Sequence, residues 1–156
     1  MTAEVAMLRP KRKAPPSTPR KRYLLNEQVG FLLRVAMQRH TTIFTARMIE
    51  ELTQTQFAAL AKLLEAGPCS QNHLGRLIYL DAATIKGVVD RLRGRGLMAT
   101  ANDVKDRRRR AVTLTPAGRR VTEAAIAVAA QITAQTLAPL SPQEQRAVTR
   151  LLKKLG

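Results

Sequence analysis

The apolar residues of this chain recur at helical spacing in runs set apart by a few strong capping and turn signals. From Tyr23 to Leu52 there is no proline and only Gly30, while Leu25, Val29, Leu32, Val35, Ala36, Ile43, Phe44 and Met48 repeat at helical intervals over more than one face. That pattern predicts one long helix covered on two sides, by its own domain and by a second subunit. Thr53-Gln54-Thr55-Gln56 is a capping box, and Phe57, Leu60, Ala61 and Leu64 then fall at i, i+3, i+4 and i+7, a second helix stopped at Gly67-Pro68. Ser70 can cap a short third helix with Leu74, Leu77 and Ile78 inward. After a tight break at Tyr79-Leu80, Asp81 caps a fourth helix with Ile85, Val88, Val89 and Leu92 inward, ending at Gly94-Arg95-Gly96. Leu97 to Ala101 and Arg110 to Leu114 are short alternating runs that predict the strands of a hairpin. Thr115 and Pro116 open a fifth helix with a stripe of Val121, Ala125, Val128 and Ile132. A second capping box, Ser141-Pro142-Gln143-Glu144, opens a last helix carrying Val148, Leu151, Leu152 and Leu155.

Two short helices joined by a tight turn and followed by a hairpin predict a winged helix-turn-helix, so the fold class is mainly α with a small β hairpin. Residues 1–22 stand apart. They hold four of the chain's eight prolines, at Pro10, Pro15, Pro16 and Pro19, among cations and few hydrophobes. Such a segment buries too little area to offset its ordering entropy, which predicts a disordered basic arm before a domain over 23–156.

Charge sharpens this outline. The net charge is +16 over 156 residues, and its placement matters more than its size. Residues 1–22 carry seven Lys or Arg against Glu4, and residues 86–110 carry nine against Asp90, Asp103 and Asp106, so most of the excess sits in two places. That concentration points to a polyanionic partner, nucleic acid first and an acidic membrane surface second. No run approaches the roughly 18 apolar residues of a membrane span, and prolines and cations interrupt the start too early for a secretory signal. A soluble cytoplasmic protein is expected. The lone Cys69 cannot form an internal disulfide; it reads either as a small buried residue near a helix start or as a reactive thiol. His40 and His73 lie far apart without metal spacing, and no nucleophile stands beside a base, so neither metal, cofactor nor catalysis is expected.

The candidate chemistry lies in the fourth helix and the hairpin tip. With Ile85, Val88, Val89 and Leu92 facing the core, the helix turns Ala83, Thr84, Lys86, Gly87, Asp90 and Arg91 outward. Small residues near its start permit close approach to base edges, Thr84 can hydrogen-bond or touch a thymine methyl, and Lys86 can reach guanine or phosphate. The run Asp103-Val104-Lys105-Asp106-Arg107-Arg108-Arg109-Arg110 places five cations at the tip, suited to a phosphate backbone. A solvated charge run is the alternative for that tip taken alone.

Leu74-Gly75-Arg76-Leu77, the segment Thr84 to Leu92, Gly96-Leu97, Asp103 with Asp106-Arg107-Arg108, and Leu114-Thr115-Pro116-Ala117-Gly118 together resemble the MarR family of bacterial transcriptional regulators. The resemblance runs in matching order and spacing over 23–156. It implies a homodimer whose dimerisation helices cover about 23–52 and 116–155, a DNA-binding lobe over about 53–114, a recognition helix in the major groove and a wing arginine in the minor groove. Asp106 and Arg108 match the family's wing Asp-x-Arg pair, in which the acid orients the hairpin and the arginine meets DNA. Residues 107–110 depart from the pattern by their run of arginines, which leaves open which of Arg107, Arg108, Arg109 and Arg110 enters the groove.

Peroxide-sensing members carry a reactive cysteine near the start of the first helix, and this chain has none there. Other members resemble receptors for aromatic acids or their coenzyme A thioesters, bound where the dimerisation helices meet the lobe. The first helix offers Arg34, Arg39 and His40 among Phe31, Leu32, Val35 and Phe44, an anion-plus-ring lining for such a ligand. In the alternative reading, Arg34 and Arg39 are solvated or paired with acids such as Glu50 or Glu51. The expectation is therefore a ligand-responsive regulator, a repressor by the family's usual outcome. It would bind double-stranded DNA at a pseudo-palindromic operator as a homodimer and be released by a small anionic aromatic ligand or acyl-CoA thioester. The competing reading is a structural RNA-binding or ribosome-associated basic protein.

Overall fold

In a computed structural model, residues 22–102 and 110–156 are described; the N-terminal arm and the tip of the hairpin lie outside them. The helices are α1 (Val29–Arg47), α2 (Gln54–Ala66), α3 (Gln71–Leu77), α4 (Ala82–Gly94), α5 (Pro116–Leu137) and α6 (Pro142–Leu152), with strands β1 (Met98–Asn102) and β2 (Arg110–Leu114) between α4 and α5. The strands are antiparallel, pairing Met98 with Leu114 through Asn102 with Arg110. Cys69 adds an isolated bridge to Val112, which ties the α2–α3 loop to the hairpin.

The caps fall where the sequence puts them. Thr53 and Ser141 each complete a capping box, Ser70 accepts from the His73 amide, and Thr115 accepts from the Gly118 amide. At the end of α4 the Gly96 amide bonds to the Arg93 carbonyl and the Leu97 amide to the Leu92 carbonyl, with Gly96 at φ +69°. This is a Schellman motif, in which the left-handed glycine satisfies orphan carbonyls and turns the chain directly into β1. Two other glycines are required by close approach. A Cβ on Gly118 would overlap the Leu97 carbonyl, and one on Gly75 would lie 3.0 Å from the Ile85 side chain and 3.1 Å from the Leu80 carbonyl. Gly118 thus seats α5 against the α4–β1 turn, and Gly75 lets α3 press onto α4.

The main core gathers Leu52, Leu60, Leu63, Leu74, Ile85, Val88, Val89, Leu92, Leu97, Met98 and Val112 with Ala125 of α5. A fully buried side chain such as Leu60, Leu74, Ile85 or Leu92 contributes roughly 1.5–3 kcal/mol relative to exposure. A smaller cluster of Ile43, Phe44 and Ile132 joins α1 to α5, and Met48 and Phe57 pack against both clusters.

Two expectations need correction. The helix predicted over 23–52 is broken twice. A single 3-10 turn at Leu25–Glu27 precedes α1, and after Arg47 the chain becomes extended at Met48 and passes through a second 3-10 turn at Ile49–Glu51. Met48, Ile49 and Leu52 are pulled onto the core there, and the turn is made by Glu50 and Glu51 at φ +55° and +49°. Left-handed backbone in non-glycine residues costs on the order of 1–2 kcal/mol each and persists only where the surroundings over-determine it. In α2 the deepest residues are Ala59, Leu60 and Leu63, whereas Phe57, Ala61 and Leu64 are half-buried, because the helix is covered by α5 on one side and by α3 and α4 on the other. The C-terminal apolar stripe is largely open in one chain, as a surface awaiting a second subunit would be: Val148 is half-buried, and Leu151, Leu152 and, just beyond α6, Leu155 are exposed.

Candidate DNA-binding face and ligand cavity

The fourth helix has the two faces the sequence predicts. Ile85, Val88, Val89 and Leu92 are buried, and Ala83, Thr84, Lys86, Asp90 and Arg91 are exposed. Gly87 is half-buried, yet a Cβ there would meet only an Arg91 guanidinium nitrogen at 3.9 Å, so the surface at this point is low and open. Asp81 holds the start of α4 through one carboxylate oxygen, which accepts from the Ala83 amide at 3.0 Å and the Thr84 amide at 2.9 Å. The Thr84 hydroxyl donates to its other oxygen at 2.6 Å. These bonds, the Thr84 hydroxyl first, hold the Asp81 carboxyl below its usual pKa. Thr84 has therefore committed its proton, which leaves its methyl group and remaining acceptor capacity at the exposed surface.

Lys86 is also engaged. Its ammonium lies 2.7 Å from an Asp90 carboxylate oxygen, and the Arg93 guanidinium lies 3.8 Å from the other. The hydrogen bond from Lys86, followed by the charges of Lys86 and Arg93, lowers the Asp90 pKa. The pair is exposed, so its net worth to stability is small; its effect is to aim Lys86 along the helix. Between α3, α4 and the hairpin runs a groove of about 480 Å³ lined by Gln71, Lys86, Asp90, Arg93, Thr100 and Arg110 among others. The structure thus brings Lys86 and Arg110 to one surface and adds Gln71 and Arg93, which sequence reasoning left out. The signal for Arg93 was its i+3 spacing from Asp90. Lys105, Asp106, Arg107, Arg108 and Arg109 lie outside the described residues.

Cys69 behaves as a structural residue. Its amide and carbonyl both pair with Val112, and burial pushes its thiol pKa up, which makes the reactive thiolate scarcer.

The second site lies where α1 and α5 meet α2. A cavity of about 300 Å³ is lined by Met37, His40, Phe44, Gln54, Phe57, Ala129, Ile132 and Thr133. Its wall is aromatic: the Phe44 ring centroid is 6.1 Å from those of His40 and Phe57, in tilted geometries. His40 Nδ1 shares a 3.0 Å hydrogen bond with the Thr136 hydroxyl. Arg39, the residue before His40, donates to the Gln135 carbonyl at 3.1 Å and the Thr136 carbonyl at 3.3 Å in the last turn of α5. Carbonyls in the last turn are only partly satisfied within the helix, the Gln135 one by the Ala138 amide at 3.4 Å, so a guanidinium there adds to their bonding and complements the helix dipole.

Of the five sequence-derived ligand residues, His40 and Phe44 line the cavity, while Arg39 is bonded to the end of α5 and is not part of the lining. Phe31 and Arg34 do not reach it in one chain; the Arg34 guanidinium lies over the Phe31 ring at 5.1 Å from its centroid. Among the described residues, neither Arg34 nor Arg39 is paired with Glu50 or Glu51. Glu50 is instead engaged by Arg95. Gln54, Phe57, Ile132 and Thr133 were absent from the sequence-derived set because they come from other helices.

Comparison with known proteins agrees with this geometry. The model of the MarR family matches residues 52–109, from the end of the α1–α2 joint through the hairpin tip. The transcriptional repressor NicR of Pseudomonas putida is 41% identical over 134 residues, covering 85% of each chain. A probable transcriptional regulator from Pseudomonas aeruginosa is 51% identical with a TM-score of 0.82, covering 85% of this chain and all of that one. BpsR of Bordetella bronchiseptica, whose DNA binding is regulated by 6-hydroxynicotinic acid, is 42% identical with a TM-score of 0.80, covering 86% of this chain and 97% of its own. These matches decide against the ribosome-associated reading. Among the described residues no single helix is long and apolar enough to cross a membrane. The chain belongs to the MarR family of transcriptional regulators.

Proposed function

We propose that the protein is a repressor that binds a pseudo-palindromic operator as a homodimer and is released by a small anionic aromatic acid, of which a hydroxynicotinic acid is the leading candidate. In this reading residues 1–22 are a basic arm, about 53–114 the DNA-binding lobe, and about 23–52 and 116–155 the dimerisation helices. The exposed leucines of α6 and the exposed Val29, Leu32, Leu33 and Val35 of α1 support the dimer, since a monomer would leave them in water. On DNA, Ala83, Thr84, Lys86, Gly87 and Arg91 would face base edges and phosphates in the major groove. Lys105, Asp106, Arg107, Arg108, Arg109 and Arg110 would form the wing.

The observation that carries the ligand reading is the aromatic cavity between α1, α2 and α5, in a chain closely similar to BpsR and NicR. Its volume is at the small end of ligand pockets, which favours a free single-ring acid over an acyl-CoA thioester. His40 would hydrogen-bond the acid, Phe44 and Phe57 would cover the ring, and Arg39 would supply charge. Arg34 is one turn before the cavity residue Met37, so with Phe31 it would guard the mouth. A ligand seated there must favour a spacing of recognition helices that no longer fits successive grooves, because equal affinity for both states shifts nothing.

The test is fluorescence anisotropy of promoter DNA next to the protein's own gene, titrated with 6-hydroxynicotinic acid. Release of an inverted-repeat duplex is expected. By linkage, operator must weaken the acid by the same factor. His40→Ala should weaken the acid roughly tenfold or more, the size of a lost hydrogen bond to a charged group, and leave operator affinity without acid intact. Unchanged operator affinity at saturating acid would overturn the assignment of this ligand.

A further inference from the structure

The joint between α1 and α2 is the only place among the described residues where two successive non-glycine residues, Glu50 and Glu51, adopt left-handed backbone. It is also where the dimerisation helix hands the chain to the DNA-binding lobe. Both flanks are anchored: Met48 and Ile49 pack against the main core, and Leu52 is buried within it. Besides α5, the joint is met by the far end of the recognition helix. The Arg95 guanidinium donates to the Glu50 carbonyl at 2.7 Å, and the same nitrogen lies 3.6 Å from the Glu50 carboxylate.

From this arrangement we infer that Arg95 is a positioning residue that clamps the C-terminal end of the recognition helix to the strained α1–α2 joint, and so fixes the orientation at which α4 meets DNA. The inference rests on the DNA-binding role of α4 and deepens it. Arg95 is the C-cap of α4, bonded through its own amide to the Arg91 and Arg93 carbonyls, and the Schellman turn leaves its side chain the freedom to reach sideways. Glu50, in its left-handed conformation, receives that reach through its backbone carbonyl. The joint also borders a second cavity, lined by Phe44, Met48, Glu51, Leu52 and Gln54 among others, and Phe44 and Gln54 are shared with the aromatic cavity. Displacement of α1 would therefore pull on α4 through Glu50 and Arg95, at the end of the helix opposite its Asp81 cap.

The clamp differs in kind from a phosphate contact. A cation on phosphate raises affinity for every duplex and contributes about one unit to the salt slope; a clamp changes neither. In Arg95→Met the operator affinity should fall roughly tenfold, as for loss of a hydrogen bond from a charged group, with random-duplex affinity and salt slope unchanged. Operators with one base pair inserted between half-sites should then be bound almost as well as the natural spacing, whereas the parent discriminates strongly. A parallel fall in random-duplex affinity with a smaller salt slope would make Arg95 a direct DNA contact and overturn the proposal. So would an unchanged operator affinity and spacing preference. Amide hydrogen exchange on the free protein gives a readout that needs neither operator nor acid. Exchange should accelerate in Arg95→Met both at 50–52 and at 94–97, with α2 and α3 unaffected, and acceleration at only one of the two segments, or at neither, excludes the clamp.

Discussion

The proposed DNA-binding lobe and the proposed dimerisation helices use hydrophobic residues in opposite ways. In the lobe, Leu60, Leu74, Ile85 and Leu92 reach zero exposure, and each helix is closed by a side-chain cap or a left-handed glycine within the same chain. In α1 and α6, large apolar residues stay in water: Val29 is 68% exposed and Leu151 53%. The difference shows that the apolar residues of the lobe find their partners within one chain, α5 included, whereas the outer faces of α1 and α6 do not. Between the two lies the proposed ligand cavity, whose Phe44 and Phe57 walls belong to one region each. A site at such a boundary is where a small molecule can exchange the position of one body for another.

The largest expected effects break the lobe and the helices separately. Leu60→Ala should cost about 2–5 kcal/mol, a large part of a typical domain's stability, and lower the thermal midpoint sharply. Leu152→Glu combined with Leu155→Glu should leave helical content intact and convert a dimer to a monomer in sedimentation, because a charge that sits comfortably on an exposed surface cannot enter an apolar interface. A double variant that still sediments as a dimer would remove α6 from the interface. A Leu60→Ala variant as stable as the parent would show that the lobe core is not what holds the fold.

Within the lobe the comparison sharpens to wing against recognition helix. Arg108→Ala should weaken operator and random duplex alike by about 1–3 kcal/mol and reduce the salt slope by about one unit. Lys86→Ala should relax the preference at particular base pairs with less effect on random DNA. Because Lys86 is already bonded to Asp90 in the free chain, DNA must compete for it, which keeps its contribution selective. Equal losses of base preference in the two variants, read by competition with mutated half-sites, would dissolve this division of labour.

The same contrast explains what the sequence made legible. Caps announce themselves in local chemistry: Thr53 with Gln56, Ser141 with Glu144, and Asp81 before two small residues. The inward stripe of α4 is likewise local, since four buried positions at helical spacing need no knowledge of neighbours. The breaks in the first helix were hidden because their cause is tertiary. Nothing at Glu50-Glu51 marks a left-handed turn; Leu52 and Ile49 impose it by docking on the core. The cavity was legible by halves. His40 and Phe44 stood out on one helix, but Phe57, Ile132 and Thr133 join them only through packing of α2 and α5. Arg39 illustrates the limit of charge reasoning, because the partner it found was a pair of helix-end carbonyls rather than a carboxylate or solvent.

The smallest effect concerns the cap that starts α4, at the opposite end from the Arg95 contact. Asp81 is fully exposed, and its carboxyl is held below its ordinary value of 3.8 by the Thr84 hydroxyl, then by the Thr84 and Ala83 amides. A folded-state pKa lower than the unfolded one means that its contribution to stability is fully present above the ordinary value. It is lost as pH falls through the folded value. The Ala83 and Thr84 amide proton resonances should therefore titrate together, with a midpoint below 3.8. Asp81→Asn keeps an oxygen that can cap the helix but removes the titration. The parent should be the more stable of the two near neutrality, where the ionised carboxylate also complements the helix dipole, and that advantage should vanish in acid. A midpoint at or above the ordinary value would mean that the Thr84 hydroxyl does not donate to Asp81, leaving its proton available to a base edge.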